Sequence, residues 1–178
     1  CIRDRTNTVQ YVSPKMAGIS LVANTTISGN DEETNGIGVR WSNKSFMAYG
    51  DYIANDDDDA MKLGGKFSAK AFSVGLQYEM LEDAAGNESD FIFASGQFNI
   101  NSNNAIILTA GMRDDTFAGG GDADSTGVAV AYNHKLSKMT NVYVGYGDRS
   151  DEDGITAVTD KDAGGDESLL TFGIKKKF

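Results

Sequence analysis

The chain has 178 residues with 16 Lys+Arg against 26 Asp+Glu, a formal charge of −10, and 21 Gly against a single Pro. That acidic balance disfavours nucleic acid as a partner, since phosphate binding needs basic stripes, and the composition excludes a collagen or a proline-rich linker. Apolar runs are short, as in Ala105-Ile106-Ile107-Leu108, which excludes a membrane-spanning helix but not a membrane barrel, whose strands are only half apolar.

Apolar spacing of period two recurs along the whole chain, while helical spacing is scarce. The pattern predicts eleven strands: Thr6–Ser13, Ile19–Ser28, Gly36–Asn43, Ser45–Asn55, Ala60–Ala69, Phe72–Glu82, Asp90–Asn101, Ala105–Thr116, Ser125–Ser137, Asn141–Ser150 and Ser168–Phe178. Most exceed the five or six residues usual in soluble sandwiches and match what a tilted strand needs to cross a bilayer.

Odd-to-even connections read as short: Pro14–Gly18, Lys44, Lys70-Ala71, Ser102–Asn104 and Lys138–Thr140. Even-to-odd connections read as longer: Gly29–Asn35, Asp56–Asp59, Asp83–Ser89, Phe117–Asp124 and Asp151–Glu167. Short turns at one end and long loops at the other are the pattern of a membrane barrel. Charge divides the same way. The long-loop side holds 23 of the 26 acids, and the short-turn side holds Lys15, Lys44, Lys70, Lys135, Lys138 and Lys175–Lys177. Solvated loops would account for the acids without a function; their segregation to one end favours an oriented membrane protein.

Strand parity separates a greasy face from a small or polar one. Phe72, Val74, Leu76 and Tyr78 oppose Ser73, Gly75, Gln77 and Glu79, and Val128, Val130 and Tyr132 oppose Gly127, Ala129 and Ala131. Leu170, Phe172 and Ile174 oppose Thr171, Gly173 and Lys175. The greasy face is expected to meet lipid and the other a wet interior. Aromatics such as Tyr11, Trp41, Phe46, Tyr52, Phe72, Tyr78, Phe98, Tyr132 and Phe178 fall near strand ends, where interfacial girdles place them. Parity is blurred in Ser45–Asn55 and Asp90–Asn101, where both faces carry aromatics.

The wet face carries Arg40, Lys62, Lys66, Arg113 and Lys135, with Gln10 and Gln77 nearby. A ring of such charges filters ions in a pore; the plainer reading pairs them with wall acids such as Asp51 and Glu79. The run Asp56-Asp57-Asp58-Asp59 is the best candidate for a bound Ca or Mg and, through it, lipopolysaccharide phosphate, since hard cations take several oxygens. Solubility alone would also explain it. Asp151–Gly154 and Gly119–Asp124 lack full calcium-loop spacing. No catalytic constellation is visible. The only histidine, His134, falls on the greasy face near the short-turn end, and no nucleotide loop or CxxC is present. Cys1 permits no internal disulfide; a lipidated terminus is one reading of its position.

At this point the residues resemble a known family, the general Gram-negative porins. The opening Asn7-Thr8-Val9-Gln10-Tyr11-Val12-Ser13-Pro14-Lys15-Met16-Ala17-Gly18 is similar to the segment that follows the constriction loop in these porins. The final strand, ending in Phe178, resembles the signal read by the barrel-assembly machinery. The resemblance implies an all-β, antiparallel transmembrane β-barrel of sixteen strands whose sixth carries the opening motif. Residues 1–178 would then be the C-terminal part of one porin domain, without the first five strands and the constriction loop. It further implies a homotrimer in the Gram-negative outer membrane, with long loops extracellular and short turns periplasmic. Arg40, Lys62, Lys66 and Arg113 would form a basic pore wall for small hydrophilic solutes, with Arg3 and Arg5 near the mouth and no cofactor. A family porin often has a basic residue where Gln10 stands. The rival is a barrel that serves as scaffold, adhesin or phage receptor with a plugged lumen.

Overall fold

An extended segment can satisfy its backbone only against another strand, and period-two alternation then gives the sheet two unlike faces. The computed structural model describes residues 8–26, 33–55, 58–151 and 166–177. Every regular element among them is a strand: β1 (Thr8–Val12), β2 (Ile19–Thr26), β3 (Thr34–Ser42), β4 (Phe46–Ala54), β5 (Asp59–Ser68), β6 (Phe72–Glu82), β7 (Glu88–Asn99), β8 (Asn104–Thr116), β9 (Asp122–Lys135), β10 (Thr140–Asp151) and β11 (Glu167–Lys176). They form one sheet in chain order, β1 to β11, with every pair antiparallel. All eleven expected strands are there.

Two expectations change. β9 begins at Asp122 rather than Ser125, because Asp122 and Asp124 pair with Thr116 and Asp114 of β8 instead of lying in a loop. β7 begins at Glu88, so its loop from β6 spans only 83–87, and the β8–β9 loop spans 117–121. The division into short turns and long loops therefore rests on two connections, β2–β3 and β10–β11. The division of charge is the stronger of the two signals.

The β1–β2 connection contains a two-residue turn. Met16 and Ile19 exchange backbone bonds of 2.9 and 2.8 Å across Ala17 and Gly18, whose φ values are 50° and 89°. Two consecutive positive φ angles give the turn the twist that antiparallel strands need.

Directly paired residues point to the same face, so register sorts every side chain. One row runs Leu21, Val39, Gly50, Leu63, Tyr78, Ile92, Met112. Its neighbour on the other face runs Gly38, Asp51, Lys62, Glu79, Phe91, Arg113, Ser125. This resolves the blurred strands: Tyr49, Phe91 and Phe93 join the polar face, and Phe46, Tyr52 and Phe98 the greasy one. Near the short-turn end of the greasy face Phe46, Phe67 and Phe72 pack with ring centroids 4.8 and 5.7 Å apart. Phe72 continues into the row Phe98, Ile106, Tyr132.

The sheet has almost no core. Among the described residues only Ala105 and Ala123 are buried apolar side chains, whereas Ile37 is 67% exposed, Leu76 60% and Phe172 83%. An apolar face this extensive is not tolerated by a monomer in water. It fits a sheet that turns its greasy side to lipid, where no interior is required.

Candidate functional site

The polar face begins with a small residue beside a large one. Gly38 leaves room for the carboxylate of its partner Asp51, which contacts the space a β-carbon would fill. From there Asp51 accepts from Arg40 Nη1 at 2.5 Å. The Arg40 guanidinium lies 5.3 Å from the Tyr49 ring centroid. Tyr49 folds flat over Gly64 and donates to Gln77 Oε1 at 2.7 Å. Gln77 Nε2 donates to Glu79 Oε2 at 3.3 Å, and the same oxygen takes Lys62 Nζ at 2.9 Å. A continuous chain of polar contacts thus crosses β3 to β6. Both ion pairs are partly exposed, with side chains 22–39% accessible, so each is worth no more than about 1 kcal/mol.

A second cluster lies across β7 and β8. Arg113 Nε meets Asp115 at 2.9 Å and Nη2 reaches Ser89 Oγ at 3.4 Å, while Ser89 also donates to Asp115. Asp115 is the one buried charged side chain among the described residues. Burial without partners would be costly, and here the carboxylate has two donors. Beside this cluster a cavity of about 820 Å³ opens on the polar face, bounded by Phe91, Phe93, Gly111, Arg113, Gly127 and Arg149.

Of the four residues the resemblance assigns to a basic wall, all stand on the polar face. Arg40, Lys62 and Arg113 each hold a wall carboxylate. Lys66 is exposed, and among the described residues it has no such partner. It stands four positions beyond Lys62 on β5, about 13 Å along the strand. The wall is therefore a lattice of paired charges rather than a bare basic ladder, closer to the plainer reading. Sequence reasoning missed Tyr49, Ser89 and Asp115. The available signal was a large polar residue beside a glycine or an arginine, which becomes decisive only once register is known.

Of the acidic run, Asp56 and Asp57 lie outside the described residues, as do Cys1, Arg3, Arg5 and Phe178. Asp58 Oδ1 accepts from the Ala84 amide at 3.0 Å, tying its loop to the next one. Asp59 belongs to β5 and faces Glu82. His134 stands on the greasy face, its Nδ1 2.6 Å from Asn104 Oδ1, which also accepts from the Tyr132 hydroxyl at 2.5 Å.

Residues 3–154 match the family model of the Gram-negative porins. No curated protein matches the chain. OmpT, an outer membrane protein of Vibrio cholerae, aligns with a TM-score of 0.77 at 12% identity, over 95% of this chain and 63% of that one. An anion-selective porin from Comamonas acidovorans aligns with a TM-score of 0.78 at 16% identity, over 97% of this chain and 59% of that one. The NanC porin aligns at 0.59 and 9% identity, over 96% of this chain and 92% of that one. The chain thus spans less than two thirds of the length of the first two. At these identities the superpositions show the fold, an outer-membrane β-barrel architecture, and the family model covers most of the sequence: the chain belongs to the Gram-negative porin family.

Proposed function

We propose that the chain forms part of the wall of a passive, water-filled channel for ions and small hydrophilic solutes, with no catalytic step. The observation that carries this reading is the division of one sheet into a lipid-compatible apolar face and a hydrogen-bonded, charge-lined one. Arg40, Lys62, Lys66 and Arg113 line the lumen and act with their carboxylates as a charge filter. The acidic long-loop end attracts cations and sets a modest cation preference.

In this reading residues 1–178 are part of one barrel domain of sixteen strands, since β1 and β11 each pair on one side only among the described residues. A sheet edge left open in lipid costs several kcal/mol per unsatisfied group. The assembly is a homotrimer, a proposal supported by the trimer form of Vibrio cholerae OmpT. The long loops face outward, with Asp56–Asp59 next to lipopolysaccharide and its divalent cations, and Phe178 serves as the assembly signal.

The test is a single-channel recording of the folded protein in a planar bilayer under a KCl gradient. Stable open steps with a cation-selective reversal potential are expected, and closures in threes if the trimer holds. Folded, inserted protein that conducts nothing would overturn the channel reading in favour of a plugged scaffold.

A further inference from the structure

Lys135, Lys138, Lys175 and Lys177 line one cavity of about 670 Å³ at the short-turn end, and among the described residues no Asp or Glu contributes to it. Elsewhere on the polar face Arg40, Lys62 and Arg113 each hold a carboxylate, and Lys66 is an isolated exception on β5. Here none of the four lysines has an ion pair or side-chain hydrogen bond among the described residues.

Register explains the convergence. Lys135 of β9 and Lys175 of β11 flank Asn141 of β10 in a single row. Two strand spacings separate the lysines, about 10 Å, and Lys177 follows about 7 Å along the chain. Four-carbon stems let ammoniums at those separations close on a shared ligand. Lys138 joins from the β9–β10 turn, and the lining also includes Ser137 and Asn141, both capable of neutral donation. Lys176 faces the other way, paired with Thr140 on the greasy face.

We propose that this cavity binds small multivalent oxyanions of the phosphate class. A halide satisfies one ammonium, whereas a phosphate group carries close to two charges and several acceptor oxygens that several lysines can share. The position of Lys135 and Lys175 on the polar face favours a free solute over a lipid headgroup. That placement within a lumen rests on the channel reading; the binding does not.

The test is calorimetric titration of the folded protein with pyrophosphate in zwitterionic detergent at about 0.1 M salt, where the Debye length is about 10 Å. Saturable binding is expected, and the Lys135→Gln/Lys175→Gln/Lys177→Gln variant should weaken it by at least about tenfold, the scale of one charge-assisted hydrogen bond. Lys44→Gln/Lys70→Gln removes two other short-turn lysines and should leave affinity within about twofold, because exposed charges beyond a Debye length are screened. No saturable binding, or equal losses in both variants, would overturn the proposal. If the triple variant does not fold, Lys138→Gln in the turn replaces it, and unchanged affinity there is the overturning result.

Repeating the titration in lipid nanodiscs separates the two sources of phosphate. Adding phosphatidylglycerol to phosphatidylcholine leaves affinity unchanged for a free-anion site and weakens it where a headgroup competes. Binding without conduction would remove the channel reading and keep the site; conduction without binding would do the reverse.

Discussion

The Tyr49 ring lies across Gly64, its paired neighbour in β4–β5, with the phenol oxygen 2.5 Å from where a β-carbon on Gly64 would stand. Tyr143 lies over Gly173 in the same way, its oxygen 2.6 Å from the corresponding point. These aromatics lie along the polar face instead of projecting from it.

Gly64→Ala should therefore lift Tyr49 off the wall and break its bond to Gln77. Overpacking of this kind costs about 1–3 kcal/mol. Tyr49→Phe keeps the ring and loses only the hydroxyl, about 0.5–1.5 kcal/mol. Denaturant midpoints in detergent, followed by the gel mobility of the folded form, should rank Gly64→Ala below Tyr49→Phe. A Gly64→Ala midpoint equal to that of the parent protein would contradict the packing.

The Lys62–Glu79 pair offers a test of which face is wet. Lys62→Gln should shift the reversal potential toward cation selectivity, Glu79→Gln toward anions, and the double variant should return close to the parent. The change per charge is bounded at about fivefold in permeability ratio, since a unit charge at 4 Å in water is worth ~1 kcal/mol. Neutralising Lys62, Lys66 and Arg113 together should give the largest cation shift. Reversal potentials that ignore all of these changes would remove the residues from the pore.

A one-residue step in β9 separates lipid from water. Val130→Lys puts a charge on the apolar row Leu108, Val130, Tyr146, at roughly 2–4 kcal/mol. Ala129→Lys puts the same side chain on the polar face and should be nearly neutral. Folding into bilayers titrated with urea measures both, and equal costs would sink the assignment of faces.

The β6–β7 loop should be acid-sensitive in a defined direction. Asp83 accepts from the Asn87 side-chain amide at 2.8 Å and from the Asn87 and Ala85 backbone amides at 3.0 and 2.9 Å. The Asn87 side-chain bond, then these backbone amides, hold its carboxyl below the ordinary value of 3.8. The folded loop binds the proton more weakly than an unfolded chain does. Its contribution is complete above the ordinary carboxylate range and is lost as pH falls through the depressed pKa. Amide shifts of Ala85 and Asn87 should titrate with a midpoint below the ordinary carboxylate value. Asn87→Ala should raise the midpoint and also free Ala118, whose amide donates to Asn87 Oδ1 at 3.0 Å. A midpoint unmoved in that variant would refute the cause assigned here.

Strand number and faces were legible because period two survives in nearly every segment, as Phe72, Val74, Leu76 and Tyr78 against Ser73, Gly75, Gln77 and Glu79 show. The start of β9 was not, because Asp122 and Asp124 disfavour a strand locally and extend one only by pairing with β8. The wall residues were legible by parity and their partners only in part. Parity puts Asp51 and Glu79 on the face of the basic residues, but which base each holds follows only from the structure. Tyr49–Gln77, 28 residues apart, reaches across β5, and Ser89–Asp115, 26 apart, is a direct pair of β7 and β8; both depend on register, which turn geometry fixes and composition does not reveal.

The near absence of buried apolar side chains among the described residues changes what mutation can do to this protein. In a globular domain a truncated core residue leaves a void, and the void sets much of the damage. At Phe172, 83% exposed, or Leu76, 60% exposed, fluid acyl chains flow into whatever space is vacated, so exchange among apolar residues there carries little penalty. Selection then acts on backbone ladders, turn geometry and the sign of each face, and leaves side-chain identity free to drift. A sheet of this kind can keep a TM-score of 0.77 with a relative that shares 12% of its residues.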